Sequence, residues 1–149
     1  MMAGEQLQFR WSSKNKTTNY FTGIGLPARD EADYVDEGVH IREVVCRSIL
    51  NKTSISDYSL NCYTGCQNGC VYCYARYMQK FHPHSQAWGK FVDVKVNALE
   101  TLKKQLKTAK PGRVFVSSAC DGWQRQEAKW GLTRRCCQLL IPTVSAREF

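Results

Sequence analysis

Residues 91–118, FVDVKVNALETLKKQLKTAKPGRVFVSS, carry the pattern from which the fold is read. Phe91–Val96 alternates apolar and polar side chains with period two, which predicts a strand. Asn97 is a suitable N-cap, and Leu99, Leu102 and Leu106 recur at spacings of three and four, which predicts a helix over Ala98–Lys107. Pro111 and Gly112 end that unit. Val114–Ser118 is a short apolar run of the kind buried on both faces of a parallel sheet.

The same reading extends in both directions. Downstream, the loop CDGWQRQ leads to a helix predicted over Glu127–Leu140, with Leu132, Cys136, Leu139 and Leu140 along one side. Upstream, Asp57–Asn61 predicts a short strand, Val71–Lys80 the first turns of a helix, and His82–Gly89 a loop. One more short strand is expected within 44–56. Strands alternating with helices predict an α/β fold with a parallel sheet. Residues 1–28 have no apolar period and contain Gly23, Gly25 and Pro27, so they read as a flexible tail. Residues 30–43 hold six acids against Arg42 alone. The expected division is therefore a flexible extension over 1–43 and a folded domain over 44–149.

Composition narrows the function classes. A chain of 149 residues suits one domain, and 43% hydrophobic content excludes wholesale disorder. No run of about 18 apolar residues predicts a membrane span, and the first residues lack the apolar core of a secretory signal. Eight cysteines in that context point to metal or catalytic thiols in a reducing, cytoplasmic setting rather than to disulfides. The net charge of +8 is concentrated in 46–110, which has ten bases against three acids, whereas 1–45 has five against seven. A basic middle attracts phosphate, hence DNA or RNA; a solvated lysine-rich helix face explains it as well.

Four cysteines fall within residues 62–73, CYTGCQNGCVYC. Cys66, Cys70 and Cys73 read C-x3-C-x2-C, with Tyr72 just before the third. One short loop can thus present three thiolates to a compact object such as an iron–sulfur cluster. Three ligands leave one iron of a [4Fe-4S] cluster open, as catalytic metal sites generally keep a vacant position. Spacing alone leaves two other readings open. Zinc usually takes two separated cysteine pairs, and the second pair is missing here. A closed electron-transfer cluster needs a fourth ligand, which Cys62 could supply.

The run GCQNGCVYCYAR resembles the radical S-adenosylmethionine motif, C-x3-C-x-aromatic-C. YSLNCYTGCQNGCVYCYAR resembles, more narrowly, the branch that includes spore photoproduct lyase. Downstream, WGKFVDVKVNALETL and CDGWQRQEAKWGLTRR are similar to that branch's strand–helix unit and its D-x-Y-Q-P-x-E segment. The similarity covers roughly residues 44–140. It implies the N-terminal part of a partial (β/α)6 barrel, incomplete at the C-terminus, where IPTVSAREF does not continue a third strand.

The resemblance also implies roles. Cys66, Cys70 and Cys73 would hold the cluster, and S-adenosyl-L-methionine would chelate the open iron. A reductant or electron-donor partner would supply one electron, releasing a 5′-deoxyadenosyl radical that abstracts a substrate hydrogen in nucleic-acid repair or modification. Tyr72 would lie near the adenine, unless it packs in the core. Ser118 and Asp121, at the end of the second predicted strand, would help hold the cofactor. Ser118 and Cys120, two apart on a strand, would share a face. Cys120 would be a displaced hydrogen donor, two residues beyond the branch's donor position at Ser118, or simply a small buried thiol. Asp121 can equally cap a turn, and Glu127 can stabilise a helix N-terminus. The competing functions are a non-enzymatic iron–sulfur module, a zinc-stabilised nucleic-acid-binding module and an inactive fragment of the enzyme.

Overall fold

The computed structural model describes residues 8–11 and 33–141. Eight strands and three α-helices run in the order β1 (Gln8–Trp11), β2 (Asp33–Asp36), β3 (Val39–Val44), β4 (Leu50–Lys52), β5 (Tyr58–Leu60), β6 (Tyr63–Thr64), β7 (Phe91–Lys95), α1 (Ala98–Leu106), β8 (Gly112–Val116), α2 (Arg125–Trp130) and α3 (Leu132–Leu140). A seven-residue 3-10 helix, Tyr74–Lys80, stands where the sequence predicts the start of an α-helix.

The strands form two four-stranded sheets, β1-β8-β5-β4 and β2-β3-β7-β6. Each contains a single parallel pair, β5 with β8 and β3 with β7; the other pairings are antiparallel. The expected parallel sheet of a partial (β/α)6 barrel is therefore overturned. Its two parallel pairs are flanked by short strands that no crossover helix precedes. A period of two identifies a strand but not its neighbour, and an antiparallel edge needs only a short connection.

The acidic stretch supplies one such edge. Val35, Val39 and Ile41 alternate with polar residues around Glu37 and Gly38, and β2 and β3 pair across this turn. Glu37 and Gly38 have φ of 47° and 75°, the double left-handed geometry that suits a two-residue hairpin. Residues 33–43 are thus strand rather than flexible extension, and β1 pairs with β8. The remainder of the expected extension, 1–7 and 12–32, lies outside the described residues, as does 142–149, most of the stretch that the sequence reads as not continuing a third strand.

Other boundaries shift for local reasons. The Asn97 side chain does not cap α1. It accepts the Cys46 N–H and donates to the Cys46 carbonyl, both at 2.8 Å, fastening the end of β3 to the start of the helix. The helix predicted over Glu127–Leu140 begins at Arg125 and breaks at Gly131, whose N–H returns to the Glu127 carbonyl at 2.8 Å. β7 is buried on both faces up to Val94, although its sequence alternates, because Asp93 is buried in an ion pair with Arg42. β8, expected to be buried throughout, buries only Val114 fully.

The main core joins both sheets to the helices: Ile41, Leu60 and Val92 pack with Leu102 of α1 and with Leu132 and Leu140 of α3. Each of these large apolar side chains contributes about 1.5–3 kcal/mol by burial. A second, smaller core of Cys66, Ala75, Trp88 and Phe91, with Cys73 against it, lies beneath the cysteine loop. Among the described residues no helix is long and apolar enough to cross a membrane.

Candidate functional site

The cysteine loop leaves β6 and runs into the 3-10 helix. Hydrogen bonds from the Gly69 N–H to the Cys66 carbonyl, 3.4 Å, and from the Cys73 N–H to the Cys70 carbonyl, 3.1 Å, curl it into two successive turns. Gly69 and Gly89 meet where two backbones cross; a Cβ on Gly89 would stand 2.8 Å from the Gly69 Cα. Cys66 is buried, whereas Cys70 and Cys73 are half-buried, and all three thiols are free. The loop is held on its inner side by the Cys66–Trp88–Phe91 core, where the His84 ring stacks on Phe91 at 3.9 Å.

Its outer side is clamped by the segment after β8. The Gln67 N–H donates to Gln124 Oε1 at 3.0 Å, the Gln126 N–H to Gln67 Oε1 at 3.1 Å, and Asn68 Nδ2 to Asp121 Oδ2 at 2.7 Å. The other Asp121 oxygen accepts the Trp123 N–H at 2.8 Å, so this residue both closes a turn and binds the loop. Gln124 is buried and bonded to the loop. Gln67 and Asn68 escape a sequence reading centred on the cysteines. The signal for them is a pair of amide side chains between the first two cysteines of the C-x3-C-x2-C run.

Burial pushes the Cys66 thiol above its ordinary range, while backbone N–H groups of Asp121 and Asn68 at the sulfur oppose that rise. Donors aimed at a sulfur stabilise a thiolate and tune any cluster it binds. Among the described residues no three His, Cys, Asp or Glu side chains stand close enough together to hold a single ion. Ligands of one tetrahedral zinc lie about 3.8 Å apart, given Zn–S bonds of about 2.3 Å. Three free thiols on one glycine-bearing loop, one of them already receiving N–H donors, are the kind of donor set that an iron–sulfur cluster takes.

The remaining cysteines have other surroundings. Cys62 faces α3, with its sulfur 3.7 Å from that of Cys136, and both are buried. The Cys136 thiol, with burial second, drives the Cys62 pKa upward. Cys120 is buried, and desolvation pushes its thiol from 9.0 up to about 12. Burial likewise raises Cys137 to about 11. Because these pKa values are raised by folding, their contribution to stability is whole below about pH 9 and is lost as pH climbs toward 12. We expect stability to fall by about 1.4 kcal/mol per pH unit for each such thiol in that window, read from urea midpoints at about pH 8 and about pH 10.5. Cys120→Ala should make the decline shallower.

Tyr72 is 88% exposed, which removes core packing as its role. Ser118 and Cys120 do not share a strand face, because β8 ends at Val116 and Ser117 turns the chain with φ of 63°. Both nevertheless reach Asn61: its Nδ2 donates to Ser118 Oγ at 3.0 Å, and the Cys120 sulfur lies 3.9 Å from its Oδ1. Tyr74, at the end of the cysteine loop, donates its hydroxyl to the Ser118 carbonyl. Glu127 accepts the Thr133 and Arg134 N–H groups at 3.1 and 2.8 Å, so it stabilises the N-terminus of α3 rather than that of its own helix.

Comparison with known proteins gives relatives but no function. The chain is 35% identical over 99 residues to an uncharacterized protein of Methanocaldococcus jannaschii, a match covering 64% of this chain and 36% of that protein. It is 32% identical over 119 residues to an uncharacterized protein of Mycobacterium tuberculosis, covering 73% of this chain and 34% of the relative. The chain thus spans about a third of the length of the curated relatives it matches. No family model matches the chain, and no solved structure matches it.

Proposed function

We propose that this chain carries the cluster-binding segment of a radical S-adenosylmethionine protein of the spore photoproduct lyase-like branch. The observation that carries this reading is the clamp. The two stretches on which the resemblance rests, 66–73 and 120–127, are far apart in sequence yet hydrogen-bonded to each other around three free thiols. Cys66, Cys70 and Cys73 would hold the [4Fe-4S] cluster, with the backbone N–H groups of Asn68 and Asp121 directed at the first sulfur. When bound, the cluster supplies one electron for cleavage of the carbon–sulfur bond of S-adenosylmethionine. The chain's own share is to fix three ligands on one rigid loop and leave the fourth position open. Tyr72, Ser118 and Asp121 lie on or beside that loop and are the residues assigned to the cofactor.

A closed electron-transfer cluster with Cys62 as fourth ligand is disfavoured, because the Cys62 sulfur is packed against Cys136. A nucleic-acid substrate accords with the basic charge of residues 46–110. An electron-donor partner and a cytoplasmic setting complete the reading; Cys120, the candidate hydrogen donor, is buried and accords better with a small packed thiol.

Anaerobic reconstitution of the chain with iron and sulfide tests it. The expected product is brown, and its reduced cluster changes its electron paramagnetic resonance spectrum when S-adenosylmethionine is added. That readout requires no turnover; 5′-deoxyadenosine formation is scored separately. A spectrum indifferent to S-adenosylmethionine, or a colourless protein containing zinc, rejects the proposal.

A further inference from the structure

The 3-10 helix after the cysteine loop presents an apolar face to water. Val71, Tyr72, Tyr74, Tyr77 and Phe81 all stand exposed within residues 71–81. Exposed apolar side chains are ordinary when scattered, whereas a contiguous group marks an interaction surface. The helix geometry explains the grouping. With three residues per turn, positions three apart eclipse one another. Ala75 is turned into the small core, so Tyr74, Tyr77 and Lys80 line up on the outside, with Phe81 just beyond. The Tyr74 and Tyr77 rings are 6.4 Å apart and 22° from parallel, and Phe81 meets Tyr77 edge-on at 6.3 Å. The Tyr74 hydroxyl is held by the Ser118 carbonyl, which fixes the first ring of the row.

The stretch that carries this row holds charge of one sign. No aspartate or glutamate occurs within residues 58–92, while Arg76, Lys80 and Lys90 do. Arg76 and Lys80 are exposed on the same helix as the rings, and among the described residues neither has a carboxylate within ion-pair distance. Arg76 donates to the Val71 carbonyl at 2.9 Å, which leaves other guanidinium hydrogens available. Aromatic faces interleaved with unpaired cations suit one class of partner above others. An unpaired nucleic-acid strand offers flat bases to the rings and phosphates to the cations. A duplex keeps its base faces covered, and an acidic peptide supplies charge without a succession of flat faces.

We propose that Tyr74, Tyr77 and Phe81, with Arg76 and Lys80, form a platform on which a single strand of DNA or RNA stacks. The inference rests on the functional reading above only in taking that strand as the substrate; the platform itself rests on the rings and the charges. The row starts at the residue following Cys73, so a strand stacked on it passes beside the cysteine loop. Base sequence has little influence on such binding, because every base has a flat face.

Fluorescence anisotropy of the full chain, iron-free and reconstituted, tests it with short labelled strands of oligothymidylate and oligouridylate and with a DNA duplex of the same length. Both single strands are expected to bind more tightly than the duplex, and the tighter of the two names the sugar the platform prefers. Tyr77→Ala or Phe81→Ala weakens binding about tenfold, whereas Tyr77→Phe keeps most of it. Arg76→Gln combined with Lys80→Gln lowers the slope of log affinity against log salt by about 1.4. Photocrosslinking of a strand containing 5-iodouracil to the unaltered chain is a second readout that needs no variant, with the adduct expected within residues 74–81. Tighter binding of the duplex, affinity unchanged in both alanine variants, an adduct confined to other residues, or a dimer that excludes the strand and that Tyr77→Ala dissociates overturns the inference. Chain that takes no cluster yet binds the strand through Tyr77 and Phe81 rejects the functional reading and keeps the platform. Reconstituted chain that responds to S-adenosylmethionine but binds no strand does the reverse.

Discussion

Alanine at Cys66, Cys70 or Cys73 is expected to reduce the iron retained after reconstitution to background and to remove the brown colour, whereas Cys62→Ala retains both. The three positions share one curled loop and lack disulfide partners. Cys62 is buried against Cys136 beneath α3. Iron analysis and visible absorbance of the four variants provide the measurement. Each loop variant should remain folded, because Gln124, Gln126 and Asp121 hold the loop through Gln67 and Asn68 rather than through its thiols. Undiminished iron in all three loop variants would remove the basis of the assignment. Iron lost in Cys62→Ala, with the fold intact, would favour the closed electron-transfer cluster.

The second large effect is on stability. Glu127→Ala is expected to cost about 3–4 kcal/mol, a substantial part of the roughly 5–15 kcal/mol that ordinarily holds a domain folded. The Glu127 carboxylate is buried and accepts from the Tyr63 hydroxyl and from the Thr133 and Arg134 N–H groups. Removing it leaves buried donors unsatisfied and unfastens α3, which contributes Leu132, Cys136 and Leu140 to the main core. Glu127→Gln keeps an acceptor oxygen and should lose about half as much, and Tyr63→Phe less again. Urea unfolding of the three variants ranks them. An equal midpoint for Glu127→Ala and the unaltered chain would show that the carboxylate does not brace the helix.

The strand–helix–strand unit over 91–116 is legible in the sequence because its signals are local: the period of two before Asn97, the leucine spacing after it, and Pro111-Gly112 at its end. The β2–β3 hairpin is harder to read. Its acids resemble a solvated run, although Asp36 and Glu37 bond Gln126 and Arg125 of α2. Strand partners are not legible either. Pairing depends on which distant segment covers an edge, and the antiparallel strands β1, β4 and β6 are only two to four residues long.

The three cysteines of the candidate site stand out by spacing alone. The clamp around them does not, since glutamine and asparagine carry no periodic signal, and their value comes from facing each other across 53 to 59 residues. Lys95 is hidden for a similar reason. In sequence it is the polar member of an alternating strand, and only the fold gives its ammonium the Asn61 carbonyl as a partner.

That clamp also sets an order of events during synthesis. Because Gln67 and Asn68 are fastened by residues as late as Gln126, the thiol loop has no finished shape until the ribosome has released the chain through α2. On the proposed reading, cluster loading follows the emergence of α2, and a nascent chain terminated before it would leave its cysteines unshaped and open to oxidation.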